Sequence, residues 1–256
     1  MKYEKIRIIP KLEIKNQYLI KGIRYEGLRK VGDPIEVAKR YFKEGADQIN
    51  INDIVASLYS RDNLYEVIDK ITDQVFIPVC VGGGVKSIEH IRELLKSGAD
   101  RVIINSEALR NPKFILEVSK TFGAQFLSIS IEAKKIGTEY YCMMDHGREN
   151  SNKKVVDWLK ELKNYQIGEV IINSIDNDGM EKGFDWELAK IADEAELKCS
   201  KVISGGAGSN IHIYQLLNSI NFDGISLGAS LHFNKIKINE LKSYLLKQKI
   251  NVNTYD

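Results

Sequence analysis

A glycine turn that occurs twice, 123 positions apart, limits this chain more than any other feature. The first copy is Val81-Gly82-Gly83-Gly84-Val85 and the second is Ser204-Gly205-Gly206-Ala207-Gly208. Each follows a short apolar run, Phe76-Ile77-Pro78-Val79-Cys80 or Lys201-Val202-Ile203, of the kind that fills a strand buried on both faces. Each precedes a serine, Ser87 or Ser209, able to cap a helix; after Ser87, Ile88, Ile91, Leu94 and Leu95 repeat with helical spacing. The glycines therefore stand where a strand ends and a helix begins. Backbone there comes close to a bound group, and its N–H groups favour an anion, most often a phosphate.

The echo extends beyond the turns. Asp53 and Asp176, and Asp100 and Asp223, are also 123 positions apart, and Glu13 and Glu132, each closing an apolar strand, are 119 apart. A period of half the chain is best explained by a duplicated four-unit half. Strands are expected at 6–14, 48–51, 77–81, 101–104, 126–132, 169–173, 201–204 and 224–227. Helices are expected at 34–44, 62–74, 87–96, 112–122, 153–164, 186–195, 210–218 and 238–247. Eight βα units of roughly 30 residues predict an α/β fold, the (β/α)8 barrel, with internal half-barrel duplication. The expectation is a single domain over 1–256, with half-barrels roughly 1–123 and 124–256. A doubly wound open sheet is the alternative, but it rarely needs eight evenly spaced parallel strands. Residues 140–144 read as a small hairpin above the barrel. By the same symmetry, the mouth should carry two anion sites on opposite sides, with Glu13 and Glu132 facing one another between them. A substrate with a phosphate at each end would fit.

Charge narrows the partners. With 37 basic and 35 acidic residues the net charge is +2, so no strong field favours nucleic acid or a membrane surface. The longest apolar runs are strand-length, which excludes a bilayer-spanning helix, and Met1-Lys2-Tyr3-Glu4-Lys5 has no signal-peptide apolar region. Three cysteines without CxxC spacing fit a reduced, cytoplasmic protein. His90, His146, His212 and His232 lack metal-ligand spacing, so no metal site and no cofactor are expected. Cys80 reads as a small core residue, Trp158 and Trp186 as packing, and Lys134-Lys135 and Lys153-Lys154 as solvated.

Several motifs together resemble one family. They are Arg7-Ile8-Ile9-Pro10, Lys21-Gly22, Leu28-Arg29-Lys30-Val31-Gly32-Asp33-Pro34, the stretch from Phe76 to Val85, Asp176-Asn177-Asp178-Gly179, Ser204-Gly205-Gly206-Ala207-Gly208 and His232-Phe233. In order and over nearly the whole chain, they resemble the cyclase subunit of imidazole glycerol phosphate synthase. The resemblance implies a barrel that takes ammonia from a glutaminase docked on its N-terminal face. At the C-terminal face, such a barrel cleaves and cyclises a bisphosphorylated ribonucleotide to imidazole glycerol phosphate and an aminoimidazole carboxamide ribotide. One aspartate serves as general acid and another as general base. By position, Glu13 and Glu132 stand at the catalytic sites. Gly84, Asn105 and Ser106 match one phosphate site, and Asp178, Gly179, Gly205, Gly206, Gly228, Ala229 and Ser230 the other. Asp53 matches a pocket position and Lys21 a lysine in a mobile first loop. Arg7, Gln48, Arg101 and Glu169 match a ring gating the ammonia entrance, with Asp100 beside it.

The simpler structural roles are also definite. The glutamates could be polar strand caps bonded to Lys15 or Lys134, Lys21 a solvated loop lysine, the glycines only turn-formers, and the ring a surface salt-bridge cluster. Against the last-but-one stands Gly228-Ala229-Ser230, which leads into a short helix after the eighth strand, the usual phosphate cradle of this architecture.

The sequence departs from the family where its chemistry lies. Glu13 and Glu132 replace the two aspartates; each keeps a carboxylate, but the added methylene moves it by about a bond length, which can cost on the order of 100-fold in rate. Gln48 replaces a glutamate, giving the ring net positive charge. A matched pair of changes favours a paralogue that supplies ammonia for amidating a surface-polysaccharide sugar, acetamido becoming acetamidino, beside a sugar amidotransferase. The alternatives are the orthodox cyclase of histidine biosynthesis and a non-catalytic ammonia conduit that activates its glutaminase.

Overall fold

Runs such as Val102-Ile103-Ile104 and Val170-Ile171-Ile172 are apolar on both faces, so their strands need cover on both. The computed structural model, which describes residues 5–55 and 62–254, supplies that cover by closing the sheet on itself. Met1–Glu4 of the N-terminal stretch lie outside the described residues. Eight parallel strands form the wall: Arg7–Lys15, Ile49–Asp53, Val79–Gly82, Arg101–Ile104, Leu127–Ile136, Glu169–Ser174, Ser200–Ser204 and Gly224–Leu227. They pair in chain order, and the eighth returns to the first, Arg7 opposite Gly224 and Pro10 opposite Leu227.

The helices Pro34–Lys43, Asp62–Thr72, Ile88–Lys96, Lys113–Phe122, Val155–Leu162, Trp186–Glu194, Asn210–Ser219 and Ile238–Lys247 follow their strands in turn. The expected (β/α)8 barrel is the fold. Each expected strand and helix is present, with ends moved by four residues or fewer. Among the described residues, no helix is long and apolar enough to cross a membrane.

Strand alternation sorts the side chains into two cores. Outward residues such as Ile8, Leu12, Val102 and Ile172 pack against the helices in the main core. Inside the barrel, Ile9, Cys80, Ile103, Ile171 and Val202 form a separate apolar girdle. Residues two apart on a strand share a face, so Arg7, Ile9, Lys11 and Glu13 follow one another up the inside. The girdle thus separates charged side chains below it from charged side chains above. Trp158 is fully buried, as expected, but Trp186 is 40% exposed because it opens its helix on the outer surface.

The two halves repeat one another in detail. Ser87 (φ −151°, ψ 160°) and Ser209 (φ −155°, ψ 161°) cap their helices through the N–H groups of His90 and His212. Asn105 (φ −125°, ψ −83°) and Gly228 (φ −118°, ψ −90°) open the short helices Ser106–Arg110 and Ala229–His232. Asp100 accepts from Val79 N–H at 2.8 Å, and Asp223 accepts from Lys201 N–H at 2.7 Å, each closing the start of the preceding strand.

A hairpin rises after the first strand of each half. The second, Glu139–Met144 with Glu149–Lys154, contains the expected 140–144 segment. The first, Tyr18–Ile23 with Glu26–Gly32, had no sequence signal, because its outer strand is exposed and shows no alternation.

In the second glycine turn, Gly206 has φ 102°, and a Cβ there would run into the Gly183 carbonyl. Gly206→Ala is expected to lower the unfolding free energy by about 2 kcal/mol, read from urea denaturation.

Candidate active site

Above the girdle, the first strand aims Lys11 and Glu13 into the mouth. Glu13 faces Ile20 in the antiparallel register that carries the chain into the first hairpin, and Lys21 follows from there. Glu13 Oε1 lies 2.9 Å from Lys11 Nζ, and Oε2 lies 2.7 Å from Lys21 Nζ. The same ammonium groups hold Asp178, from the loop after the sixth strand, at 3.0 and 2.5 Å. Two cations and two anions, all buried, close a four-membered ring of ion pairs. Burial alone would raise the Glu13 carboxyl, but Lys11 and Lys21 outweigh it and hold the group well below the usual carboxylate range. Burial would likewise loosen the Lys11 proton, and Asp178 and Glu13 instead hold it more firmly than in water.

Two of the simpler structural roles are ruled out here. The partners of Glu13 are Lys11 and Lys21, not Lys15, which ends the strand opposite Tyr18 at the hairpin turn and is exposed. Lys21 is 3% exposed and is no solvated loop lysine.

Glu132 stands on the fifth strand with a different environment. Its Oε2 accepts from the Gly147 N–H at 3.1 Å, where Lys134 had been the alternative partner. Burial raises its carboxyl to about 7, with Lys11 opposing and the anions Glu13 and Asp178 reinforcing. Two glutamates related by duplication therefore differ in protonation near neutral pH. The cause is direct pairing: Glu13 touches the ammonium groups of Lys11 and Lys21, whereas the residue two positions before Glu132 is Ser130 and its bond is to a backbone N–H.

The Lys11 backbone is braced as well. His232 Nδ1 is 2.7 Å from the Tyr41 hydroxyl, and Nε2 is 3.1 Å from the Lys11 carbonyl. The Tyr41 oxygen also accepts from Arg40, so its proton points to Nδ1 and the His232 Nε2–H donates to the carbonyl. Burial pushes the His232 ring down to about 4, which keeps it neutral.

Two recesses open from this centre. A cleft of about 870 Å³, open to solvent, is lined by Glu13, Asp53, Gly84, Asn105, Ser106 and Glu132. A smaller one, about 270 Å³, brings together Asp178, Gly179, Gly205, Gly206, Gly228, Ala229 and Ser230. Both expected phosphate-site groups are thus assembled, on opposite sides. Within the first, Asn105 Nδ2 donates to the Met143 carbonyl at 3.0 Å, and Ser106 Oγ accepts from Asp145 N–H at 2.9 Å, tying the second hairpin down. Asp53 Oδ1 accepts from Val55 N–H at 2.9 Å. Lys21 leans its aliphatic chain toward Gly228, whose missing Cβ would lie 3.6 Å from Lys21 Cε.

A family model described as "Histidine biosynthesis protein" matches residues 7–237. The chain belongs to this family. It is similar to imidazole glycerol phosphate synthase subunit HisF of Campylobacter concisus (strain 13826), with 40% identity over 239 residues, 93% of this chain and 94% of that one. The HisF subunit of Thermococcus onnurineus (strain NA1) is 40% identical over 247 residues, covering 96% and 97%. That of Natranaerobius thermophilus is 38% identical over 247 residues, covering 96% and 98%.

At the opposite end of this HisF-type barrel, the four expected ring residues meet. Arg7 Nη1 lies 2.8 Å from Glu169 Oε2 and donates to Gln48 Oε1 at 2.9 Å, while Arg101 Nη1 is 3.9 Å from the same Glu169 oxygen. Glu169 is fully buried, and Ser128 Oγ donates to its other oxygen at 3.1 Å. Two arginines share one carboxylate, so the cluster is net positive.

Four side chains of the mouth escaped the sequence reading: Lys11, Tyr25, His146 and Asn173. Lys11 had a usable signal, a lysine inside an apolar strand, two positions from Ile9 on one side and Glu13 on the other. The other three meet only through the hairpins.

Proposed function

We propose that this chain is a HisF-type ammonia-receiving synthase subunit specialised away from histidine biosynthesis. A glutaminase partner docks on the N-terminal face, around Arg7, Gln48, Arg101 and Glu169, and delivers ammonia into the barrel. The girdle of Ile9, Cys80, Ile103, Ile171 and Val202 favours neutral ammonia, because an unpaired ammonium loses its hydration there. At the mouth a phosphorylated ligand lies between the two glycine cradles. The favoured use of the ammonia is amidation of a surface-polysaccharide sugar, acetamido to acetamidino, with a sugar amidotransferase as a further component.

The ion ring around Glu13 carries this reading. Cyclisation in the family uses one group to give a proton and another to take one. Here Glu132 sits near neutrality and suits proton transfer, whereas protonating Glu13 would break its pairs with Lys11 and Lys21. The orthodox cyclase is the second reading, with Glu132 as acid and Glu13 as base. What favours it is the pair of cradles on opposite sides, which suits a ligand phosphorylated at both ends.

The test supplies the purified barrel with ammonium and the family's bisphosphorylated ribonucleotide and follows imidazole glycerol phosphate. No turnover above background is expected; turnover at an ordinary enzymatic rate overturns the specialised reading in favour of the cyclase. Glu13→Asp with Glu132→Asp is expected to stay inactive, since Lys11 and Lys21 would still clamp the first carboxylate. Adding Lys11→Ala to that pair is expected to bring detectable turnover in the same assay.

A further inference from the structure

The hairpins of the two halves end in equivalent turns, and these turns touch. Arg24 and Tyr25 have φ 52° and 66°, and Asp145 and His146 have φ 48° and 56°, left-handed backbone that bulky residues hold only when their surroundings fix it. The Tyr25 and His146 rings stack with centroids 4.2 Å apart and planes within 6°.

Both rings lead to Glu132. His146 is followed by Gly147, whose N–H bonds Glu132, and a Cβ at 147 would come within 2.9 Å of Tyr25 Cδ2, so the Tyr25 ring lies against that donor. Asn173 Nδ2 donates to the Tyr25 hydroxyl, and Asn173 is the residue directly opposite Glu132 on the neighbouring strand. Arg24 N–H, beside Tyr25, donates to the Asp178 carbonyl at 2.8 Å and ties the turn to the mouth.

We infer that Tyr25 and His146 are positioning residues for Glu132: their clasp covers one side of its carboxyl and fixes the Gly147 N–H against it. This rests on the proton-transfer role proposed above for Glu132. The groups facing Glu132 are Lys11 and Glu13 from the first strand, Asp178 from the loop after the sixth, and Tyr25 and His146 from the hairpins. The His146 ring, pushed down to about 4 by burial, is neutral and adds no charge. The clasp therefore acts on Glu132 by limiting the water that reaches it from the open cleft, an effect larger than the opposing pull of the Gly147 N–H.

The test is carbon-13 NMR of protein labelled at the glutamate side-chain carboxyls, titrated from acid to alkaline pH, with Glu132 assigned from Glu132→Gln. The unaltered protein should show the Glu132 midpoint near neutrality. Tyr25→Ala should lower it by about one unit, a tenfold loss of proton affinity, and His146→Ala should lower it less. Tyr25→Phe, which keeps the ring, should retain most of the effect. Ile23→Ala, an exposed neighbour on the same hairpin, should leave it unchanged. If Tyr25→Ala and His146→Ala both titrate like the unaltered protein, the inference is overturned while the role of Glu132 stands. An ordinary carboxylate midpoint in the unaltered protein would remove that role, and the clasp's with it.

Discussion

Glu132→Gln is expected to remove the proton transfer proposed for Glu132 and, above neutral pH, to stabilise the barrel. Losing a proton-transfer group costs on the order of 100- to 10,000-fold in rate. The stability effect follows from a carboxyl that is raised in the folded state from 4.5 to about 7. Below pH 4.5 the group is protonated in both states and costs nothing. Between 4.5 and about 7 the unfolded chain ionises it while the folded chain does not, so stability falls as pH rises; above about 7 the loss is complete. At about 1.4 kcal/mol per unit, the full effect would be roughly 3 kcal/mol, and water in the open cleft reduces it to about 2 kcal/mol. Urea unfolding at about pH 4.5 and about pH 8 checks the sign: the variant should match the unaltered protein in acid and exceed it in alkali. Equal curves at both pH values would mean that Glu132 is not desolvated.

Lys11→Met should do the opposite. It leaves Glu13 and Asp178, both buried, to share Lys21, and breaking a buried ion pair from one side costs about 3 kcal/mol. The pH signature also reverses. Glu13 is held below its ordinary range, so its contribution is present above the unfolded carboxylate value and lost as pH falls through the folded one. With one ammonium gone, that acid-side loss should be shallower. Lys11→Met combined with Glu13→Gln should cost less than Lys11→Met alone, because the second change removes the stranded charge. Denaturation of the four proteins of this cycle measures the coupling. A double variant no more stable than Lys11→Met would show that the ring does not hold Glu13.

The strands and helices were legible because apolar runs, serine caps and glycine turns act locally, and half the chain restates the other half. The glycine turns were legible for the same reason: Gly84, Gly205 and Gly206 stand where a strand ends and a helix begins. The charge state of the mouth was not. Glu13 and Glu132 look alike in sequence, and their difference depends on Lys11 and on Asp178, 167 positions from Lys11 along the chain. The first hairpin hid for a further reason. Residues Glu26–Gly32 are largely exposed, so no burial pattern records that Tyr25, beside them, turns into the mouth.

The apolar girdle makes the barrel an electrical insulator between its two ends. The Arg7–Glu169 cluster and the Lys11–Glu13 ring stand on the same strand, yet no ionisable side chain of the Ile9 layer except the Cys80 thiol, held protonated by burial, lies between them. Such a layer offers a proton no charged side chain to step onto. A change of charge below, including one made by a docked partner, would reach Glu132 only as an electric field across the layer and not as a transferred proton.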